Sequence, residues 1–242
     1  MCVLAFAWRP NSRWRLVVAG NRDELHERPA EPLARWEHPS HLLAGKDLLS
    51  GGTWLGVSEE GRFAVVTNVR GHGPPDPELE SRGALLVSLL SEPAFELDAA
   101  CAARFNPFNV IIAEGDQAYF LANRPQFQRR VLAPGVYGLS NADLDEPWPK
   151  TIRLRSGLED WLADERGADS LLDLLAEGRE APLKTQIEPD LSPLFMRNPL
   201  YGTRCGTVVL IDSEGRGTIV ERSYSAEAEI TGQIELSFRW PS

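Results

Sequence analysis

The first 25 residues consist of two short apolar runs joined by a polar turn. The apolar runs, residues 3–7 and 14–19, have strand length and contain β-branched residues, and a Pro/Asn/Ser cluster at 10–12 separates them. This pattern predicts a β-hairpin. Because a hairpin brings its outer ends together, we expect Cys2 to lie beside the charged segment at residues 21–24.

Apolar runs of strand length recur early and late in the chain, several of them in pairs around turns that contain glycine. Such pairs predict further antiparallel strands. Beyond the first hairpin we predict strands over residues 51–58, 62–70, 109–113, 117–122, 136–141, 206–212, 218–223 and 234–240.

Leucines at helical spacing predict an amphipathic helix over residues 81–91. Further helices are predicted over residues 98–104, 150–162 and 170–176. Residues 25–50 show little periodicity, and we interpret them as a loop that bears prolines and histidines.

Two other segments, residues 71–77 and 181–199, are rich in proline and are predicted to be loops. The first is either a lid over a pocket or a simple connector. Strand pairs come early and late, with the helices gathered between them, which differs from the alternating order of a parallel α/β sheet. The order predicts antiparallel sheets covered by helices, an α+β fold, in a single domain over residues 1–242.

The charge balance argues against several classes of partner. The chain has 25 Lys and Arg against 35 Asp and Glu, a formal net charge of −10, with no basic block. Such a surface repels phosphate backbones and anionic membranes, so nucleic-acid binding is disfavoured. No stretch approaches the roughly 18 apolar residues of a membrane span, and no signal peptide precedes the first strand. We therefore expect a soluble, cytoplasmic protein without an integral membrane segment.

The cysteine and histidine positions do not predict a metal site. The three cysteines, Cys2, Cys101 and Cys205, are widely spaced and odd in number, which favours free thiols in a reducing compartment. His38 and His41 have HxxH spacing, but no cysteine or acidic partner lies at metal-ligand spacing, so surface histidines are the better interpretation.

Cys2 is a candidate nucleophile because of its position. If Met1 is removed, Cys2 carries both a thiol and a free α-amine, and the amine can take the thiol proton during attack. Arg22 and Asp23 are then close enough to set the protonation of both groups. The alternative is a small buried cysteine that begins an edge strand.

Three polar residues further along the chain favour acyl-transfer chemistry. Asn68 and Asn141 each follow apolar strand residues where the chain turns, and side-chain amides are suited to stabilising an oxyanion. Arg204 precedes a predicted strand, where its guanidinium could stabilise a thiolate or hold a carboxylate. The alternative for the asparagines is turn capping, which commonly ends a strand.

Several motifs resemble those of the NRDE family, also called the transport and Golgi organisation 2 family, and they run in order along most of the chain. They are Met1-Cys2, Gly20-Asn21-Arg22-Asp23-Glu24, Gly51-Gly52-Thr53-Trp54-Leu55-Gly56, Thr67-Asn68-Val69-Arg70, Ser81-Arg82-Gly83, Pro107-Phe108-Asn109, Gly138-Leu139-Ser140-Asn141, Pro147-Trp148-Pro149-Lys150 and Tyr201-Gly202-Thr203-Arg204.

That family resembles the N-terminal-nucleophile hydrolases, especially the cysteine acylases that cleave bile-salt amides and penicillin V. The resemblance implies a four-layer αββα sandwich and hydrolysis of a linear amide C–N bond of a small molecule through an acyl-thioester, without a cofactor. It also implies a role for each matching residue: Cys2 as nucleophile and base, Asp23 holding its α-amine, Arg22 polarising the thiol, Asn68 and Asn141 binding the oxyanion, and Arg204 tuning the nucleophile.

The pocket residues follow from the same motifs. We expect Asn21, Trp54 and Arg70 to contact the substrate, and Asn21 is also a candidate for part of the role of Arg22. The reason is that Arg22 and Asp23 are adjacent, and neighbours on a strand point to opposite faces. Both can face Cys2 only if the chain turns there.

The resemblance leaves a second class of function open. Eukaryotic members of the family are associated with haem mobilisation, lipid or acyl-CoA metabolism and Golgi organisation, which implies a non-catalytic carrier of haem or a lipid-like ligand. In a carrier, Cys2, His26 or His72 are the candidate ligands of haem iron. A third hypothesis is a degenerate hydrolase fold that serves as an interaction module.

Overall fold

The computed structural model describes residues 2–164, 166–183 and 193–241. Backbone contacts divide the chain into two compact units, each built around one sheet. The first unit comprises Met1–Arg28 and Pro134–Phe238, and the second comprises Pro29–Ala133 and Arg239–Ser242.

The described residues form thirteen strands and four helices. The strands are β1 (Cys2–Trp8), β2 (Trp14–Leu25), β3 (Ala30–Arg35), β4 (Leu42–Asp47), β5 (Leu55–Ser58), β6 (Arg62–Asn68), β7 (Phe108–Glu114), β8 (Gln117–Ala122), β9 (Gln128–Val131), β10 (Gly135–Leu139), β11 (Tyr201–Asp212), β12 (Arg216–Tyr224) and β13 (Ile230–Arg239). The helices are α1 (Arg82–Ser91), α2 (Ala99–Ala102), α3 (Pro149–Asp164) and α4 (Ala168–Leu175).

The first unit has a six-stranded sheet in the order β10-β1-β2-β11-β12-β13. Alternate residues of its central strands, including Val3, Ala5 and Val17, pack in one apolar core with leucines of α3 and α4 such as Leu154 and Leu171. Because side chains alternate across a strand, residues at even positions of β1, including Cys2, project from the opposite face.

The second unit has a seven-stranded sheet in sequential order from β3 to β9. Helix α1 lies on it and buries four leucines in a core that includes Phe108 and Val110. The Ser81 hydroxyl accepts a hydrogen bond from the Gly83 N–H at the start of α1, which caps the predicted helix.

The α+β class is confirmed, as are the first hairpin and the main helices. The loop predicted over residues 25–50 is wrong, because it contains β3 and β4. Strand β3 is mostly exposed and buries only Leu33, so its apolar pattern is too weak to be recognised, and pairing with β4 creates the strand. Part of the predicted loop over residues 181–199 lies outside the described residues.

The structure refines other boundaries. The strand predicted over residues 51–58 is confined to β5, and the mostly exposed strand β9 was not predicted. In the described ranges, no helix combines the length and the apolar character required to cross a bilayer.

Candidate active site

Cys2 and Arg22 are direct cross-strand partners in the antiparallel pair of β1 and β2. Side chains of directly opposed residues leave the same face of a sheet, with Cβ atoms about 4.5–5.5 Å apart. Each of the two residues is only 9% exposed. The predicted proximity of the N-terminal thiol to the charged segment is therefore confirmed.

A β-bulge in β11 determines which residue of β11 pairs with Arg22. Thr203 pairs with Asp23 and Cys205 pairs with Arg22, so Arg204 is the extra residue between them. Arg22 consequently lies between two thiols on one face of the sheet, while Asp23 and Thr203 project from the other face. The chain does not turn at Arg22 and Asp23, since β2 continues to Leu25.

Asp23 is held by hydrogen bonds in a buried position. The Thr203 hydroxyl donates to its Oδ1 at 2.7 Å, and the Tyr201 hydroxyl donates to its main-chain carbonyl at 2.7 Å. Burial raises the pKa of the Asp23 carboxyl, while the charge of Lys150 and the Thr203 hydrogen bond act to lower it. The ionisation of the Asp23 carboxyl therefore depends on Lys150 and Thr203, which oppose the effect of burial.

Lys150 lies close enough to Asp23 for its charge to act on that carboxyl, and no role was predicted for it from the Pro147-Trp148-Pro149-Lys150 motif. It is the second residue of α3 and is 2% exposed, with its Nζ 5.8 Å from the centroid of the Trp148 ring. A buried ammonium is costly unless an opposite charge compensates it, and its charge acts on Asp23. A lysine in the first turn of a helix ordinarily indicates a solvated face, which is why it gave no signal.

Burial also governs the Cys2 thiol. Burial raises the pKa of Cys2, and the Asp23 charge raises it further, whereas a hydrogen bond from the Asp23 backbone N–H and the Arg22 charge act to lower it. The net effect on the pKa is upward, which favours the protonated thiol. A nucleophilic role therefore requires a base that removes the proton during attack.

Asn141 is fixed beside Cys2 by its neighbour. Strand β10 pairs with β1, and the Ser140 hydroxyl donates to the main-chain carbonyl of Cys2 at 2.7 Å. The same hydroxyl lies 3.3 Å from Oδ1 of Asn141, which is fully buried. The first unit thus brings Asn141 to the end of the strand that carries Cys2.

Arg204 lies close enough to influence Arg22 but is engaged with the backbone. Its Nη1 contacts the carbonyl oxygens of Leu25, His26 and Arg28 at 2.8, 3.1 and 3.0 Å. Burial lowers the pKa of Arg204, and the charge of Arg22 lowers it further. Arg204 holds the segment after β2, and its influence on the nucleophile stays a prediction.

Asn21 projects toward the helices and not toward Cys2. It is 0% exposed, and its Nδ2 donates to the carbonyls of Leu175 and Leu194 at 2.8 and 2.9 Å. These two hydrogen bonds join β2 to the end of α4 and to the segment that contains Leu194, and solvent does not reach the Asn21 side chain.

The other predicted residues belong to the second unit. Asn68 is the half-buried last residue of β6, Trp54 is buried just before β5, and Arg70 is exposed. Asn68 lines a cavity of about 220 Å³ together with the segment after β6. The convergence of these three residues with Cys2 stays a prediction.

The candidate haem ligands differ in environment. His26 is half-buried with its Nε2 3.0 Å from the carbonyl oxygen of Asn198, while His72 is exposed on the segment after β6. Among residues 2–164, 166–183 and 193–241, no group of three or more His, Cys, Asp and Glu residues is arranged to hold a metal ion.

Two solved structures show the same fold. Two crystal structures of variants of the conjugated bile acid hydrolase from Clostridium perfringens match with TM-scores of 0.56 and 0.54, each at 8% identity. The first covers 98% of this chain and 92% of the hydrolase, and the second covers 100% and 97%. At this identity the match shows the fold alone, and it confirms the predicted N-terminal-nucleophile hydrolase-like fold.

Sequence comparison extends along nearly the whole chain. The family model described as Transport and Golgi organisation 2 matches residues 1–226. The Transport and Golgi organization protein 2 homologs of Bos taurus and Homo sapiens are each 34% identical, over 264 and 260 residues, and each match covers 92% of this chain and 93% of the homolog. The chain therefore belongs to the Transport and Golgi organisation 2 family.

Proposed function

We propose that this protein is an N-terminal cysteine hydrolase that cleaves a linear amide C–N bond of a small molecule through an acyl-thioester on Cys2. The observation that carries the proposal is the register of β1 and β2, which sets the buried Cys2 directly against the buried Arg22. Asp23 and Asn141 lie next to the same strand end.

Removal of Met1 exposes the base that the protonated thiol requires. In the acylation step, the α-amine of Cys2 takes the thiol proton as Sγ bonds to the amide carbonyl carbon, which leaves an oxyanion. The C–N bond then breaks, and the proton passes to the leaving amine. In the second step, water attacks the thioester, the S–C bond breaks, and the acid product is released as the thiol is restored.

Arg22 and Asp23, the charged residues beside Cys2, have different proposed roles. Arg22 shares the face of Cys2 and counteracts the effect of burial on the thiol. Asp23 is the group proposed to hold the α-amine, with Lys150 and Thr203 favouring its ionised form. The Asn141 amide and, from the second unit, the Asn68 amide are the proposed oxyanion donors, because negative charge develops on the carbonyl oxygen in the transition state.

The fold comparison supports this proposal, because proteins named as hydrolases share the fold. The names of the relatives refer instead to transport and Golgi organisation. A carrier of haem or of a lipid-like ligand is therefore the competing function, and it has no need of a nucleophile opposite an arginine.

The test is hydrolysis of a panel of N-acyl amides by the purified protein and by two alanine variants. Cys2→Ala should abolish product formation, because it removes the nucleophile. Cys101→Ala is the matched control, since Cys101 lies in the second unit as a half-buried thiol of the α2 turn, and it should keep full activity. Equal turnover by wild type and Cys2→Ala, or no turnover of any amide by wild type, contradicts the proposal.

A further inference from the structure

A preformed cavity lies within the second unit, beside Asn68. It has a volume of about 220 Å³, and one wall is formed by residues 72–76, which follow β6. Asn106 holds that wall in place: its Oδ1 accepts from the Asp76 N–H at 2.8 Å, and its Nδ2 donates to the Asp76 carbonyl at 3.0 Å. The segment predicted to be either a lid or a connector therefore borders a defined cavity.

The lining of this cavity is cationic in an otherwise acidic protein. Arg82 and Arg124 contribute two positive charges and Asp76 one negative charge, so the lining carries a formal +2 − 1 = +1 with His72 neutral. The whole chain carries −10. A lining with a net positive charge favours an anionic guest, and here it does so in a chain that is acidic overall.

The position of Arg124 depends on Asn123, whose side chain is held by three hydrogen bonds. The side chain of Asn123 accepts from the Phe108 N–H at 2.8 Å and donates to the carbonyls of Ala102 and Phe105 at 3.0 and 3.1 Å. The Nη1 of Arg124 donates to the Asn123 carbonyl at 2.8 Å. Over the described part of the chain Arg124 forms no ion pair, so the rest of its guanidinium can bind an oxyanion.

The second arginine is positioned by the chain that forms the cavity wall. Arg82 is the first residue of α1, and its Nη1 donates to the carbonyl of Pro107 at 3.2 Å. Pro107 itself lines the cavity, as does Asn68. Two guanidinium groups around one small space match the donors that carboxylates and phosphates require.

We propose that this cavity binds an oxyanion group, a carboxylate or a phosphate, of a small-molecule ligand through Arg124 and Arg82. The identification of that ligand with the amide substrate rests on the proposed function. The substrate is then an amide that carries a negative charge on the part of the molecule bound beside Asn68.

The first experiment measures anion binding without turnover, in the full chain carrying Cys2→Ser. Inorganic phosphate, acetate and neutral acetamide are titrated separately while backbone and side-chain amide signals are followed by NMR. We expect saturable shifts at the side chain of Asn68 and the backbone of Gly73 with phosphate or acetate, and none with acetamide. Phosphate and acetate together show which oxyanion the cavity prefers.

Two arginine variants test whether the anion binds in this cavity. Arg124→Gln should weaken anion binding at least about fivefold, because a charge-assisted hydrogen bond is lost. Arg129→Gln is the matched control, since Arg129 is an exposed arginine of β9 that packs on the Tyr119 ring, and it should bind as wild type does. Absence of localised shifts, or equal affinity in the two variants, overturns the proposal.

The second experiment separates this inference from the proposed hydrolase activity. With an active enzyme, Arg124→Gln should raise KM for an anionic N-acyl amide at least about fivefold more than for its neutral ester-capped analogue. Equal changes in KM for the two overturn the link to the substrate. If wild type hydrolyses no amide while phosphate still binds, the proposed function fails and the anion site stands.

Discussion

Arg22 faces Cys2 directly across the β1–β2 ladder, and both residues are nearly removed from solvent. On its other side Arg22 faces Cys205 across the β2–β11 ladder. A buried guanidinium beside a thiol counteracts the burial that raises the thiol pKa. This arrangement connects the first hairpin to the chemistry that we propose.

Replacing Arg22 should therefore reduce the reactivity of Cys2. In Arg22→Gln the pKa of the thiol rises further, because the one positive side chain directly opposite it is lost. Alkylation of Cys2 by iodoacetamide at pH 8 should slow at least about threefold, and Arg22→Lys should restore part of the rate. An unchanged rate in Arg22→Gln would show that Arg22 does not act on the thiol.

Replacing Lys150 should change the pH dependence of the reaction. The charge of Lys150 lowers the pKa of Asp23, so Lys150→Met raises that pKa and Asp23 ionises only at higher pH. The acid limb of the kcat/KM profile should consequently move to higher pH, if ionised Asp23 holds the α-amine. The measurement is the full pH profile of hydrolysis for wild type and variant.

Lys46→Met is the control for Lys150→Met. Lys46 lies on β4 of the second unit with its Nζ 5.1 Å from the centroid of the Trp36 ring, so it too is a lysine beside an indole. Its replacement should leave the acid limb in place. A loss of activity in Lys150→Met without any movement of the acid limb would indicate a purely structural role.

Asn141→Ala should lower kcat and leave KM nearly unchanged. The amide of Asn141 is proposed to bind the developing oxyanion, and removal of one such donor typically costs about 100-fold or more in kcat. Steady-state kinetics on one amide substrate is the measurement. A rise in KM at constant kcat would assign Asn141 to ground-state binding instead.

Asn21→Ala should destabilise the fold. It removes two buried hydrogen bonds and leaves the carbonyls of Leu175 and Leu194 without these donors, at a cost of about 2–4 kcal/mol in the free energy of unfolding. Urea unfolding is the measurement. Asn11→Ala is the control in the same unit, where an exposed side chain accepts from the Arg13 and Trp14 N–H groups, and it should cost less. Equal costs would mean that the two contacts of Asn21 contribute little.

The sequence predicted the parts of the site that depend on local pattern. Two apolar runs around a polar turn placed Cys2 beside Arg22, and the turn after an apolar run located the end of β6 at Asn68. The strand predicted to end at Asn141 ends two residues earlier, at Leu139. The motifs then related these positions to a family of known fold.

Features that depend on long-range pairing were not predicted. The contact of Thr203 with Asp23 requires the bulge at Arg204, which only the pairing of β2 with β11 reveals. Burial of Lys150 follows from how α3 packs on β1 and β10, and a lysine in a first helical turn does not indicate it. Strand β3 likewise exists because it pairs with β4.

The most direct test of the central claim is the intact mass of the purified protein, before and after acid quenching during turnover of an amide substrate. We predict a resting mass short by the N-terminal methionine and, after quenching, one acyl adduct that maps to a peptide beginning at Cys2. A protein that retains Met1 and carries no adduct on Cys2 while it hydrolyses the substrate would contradict the account.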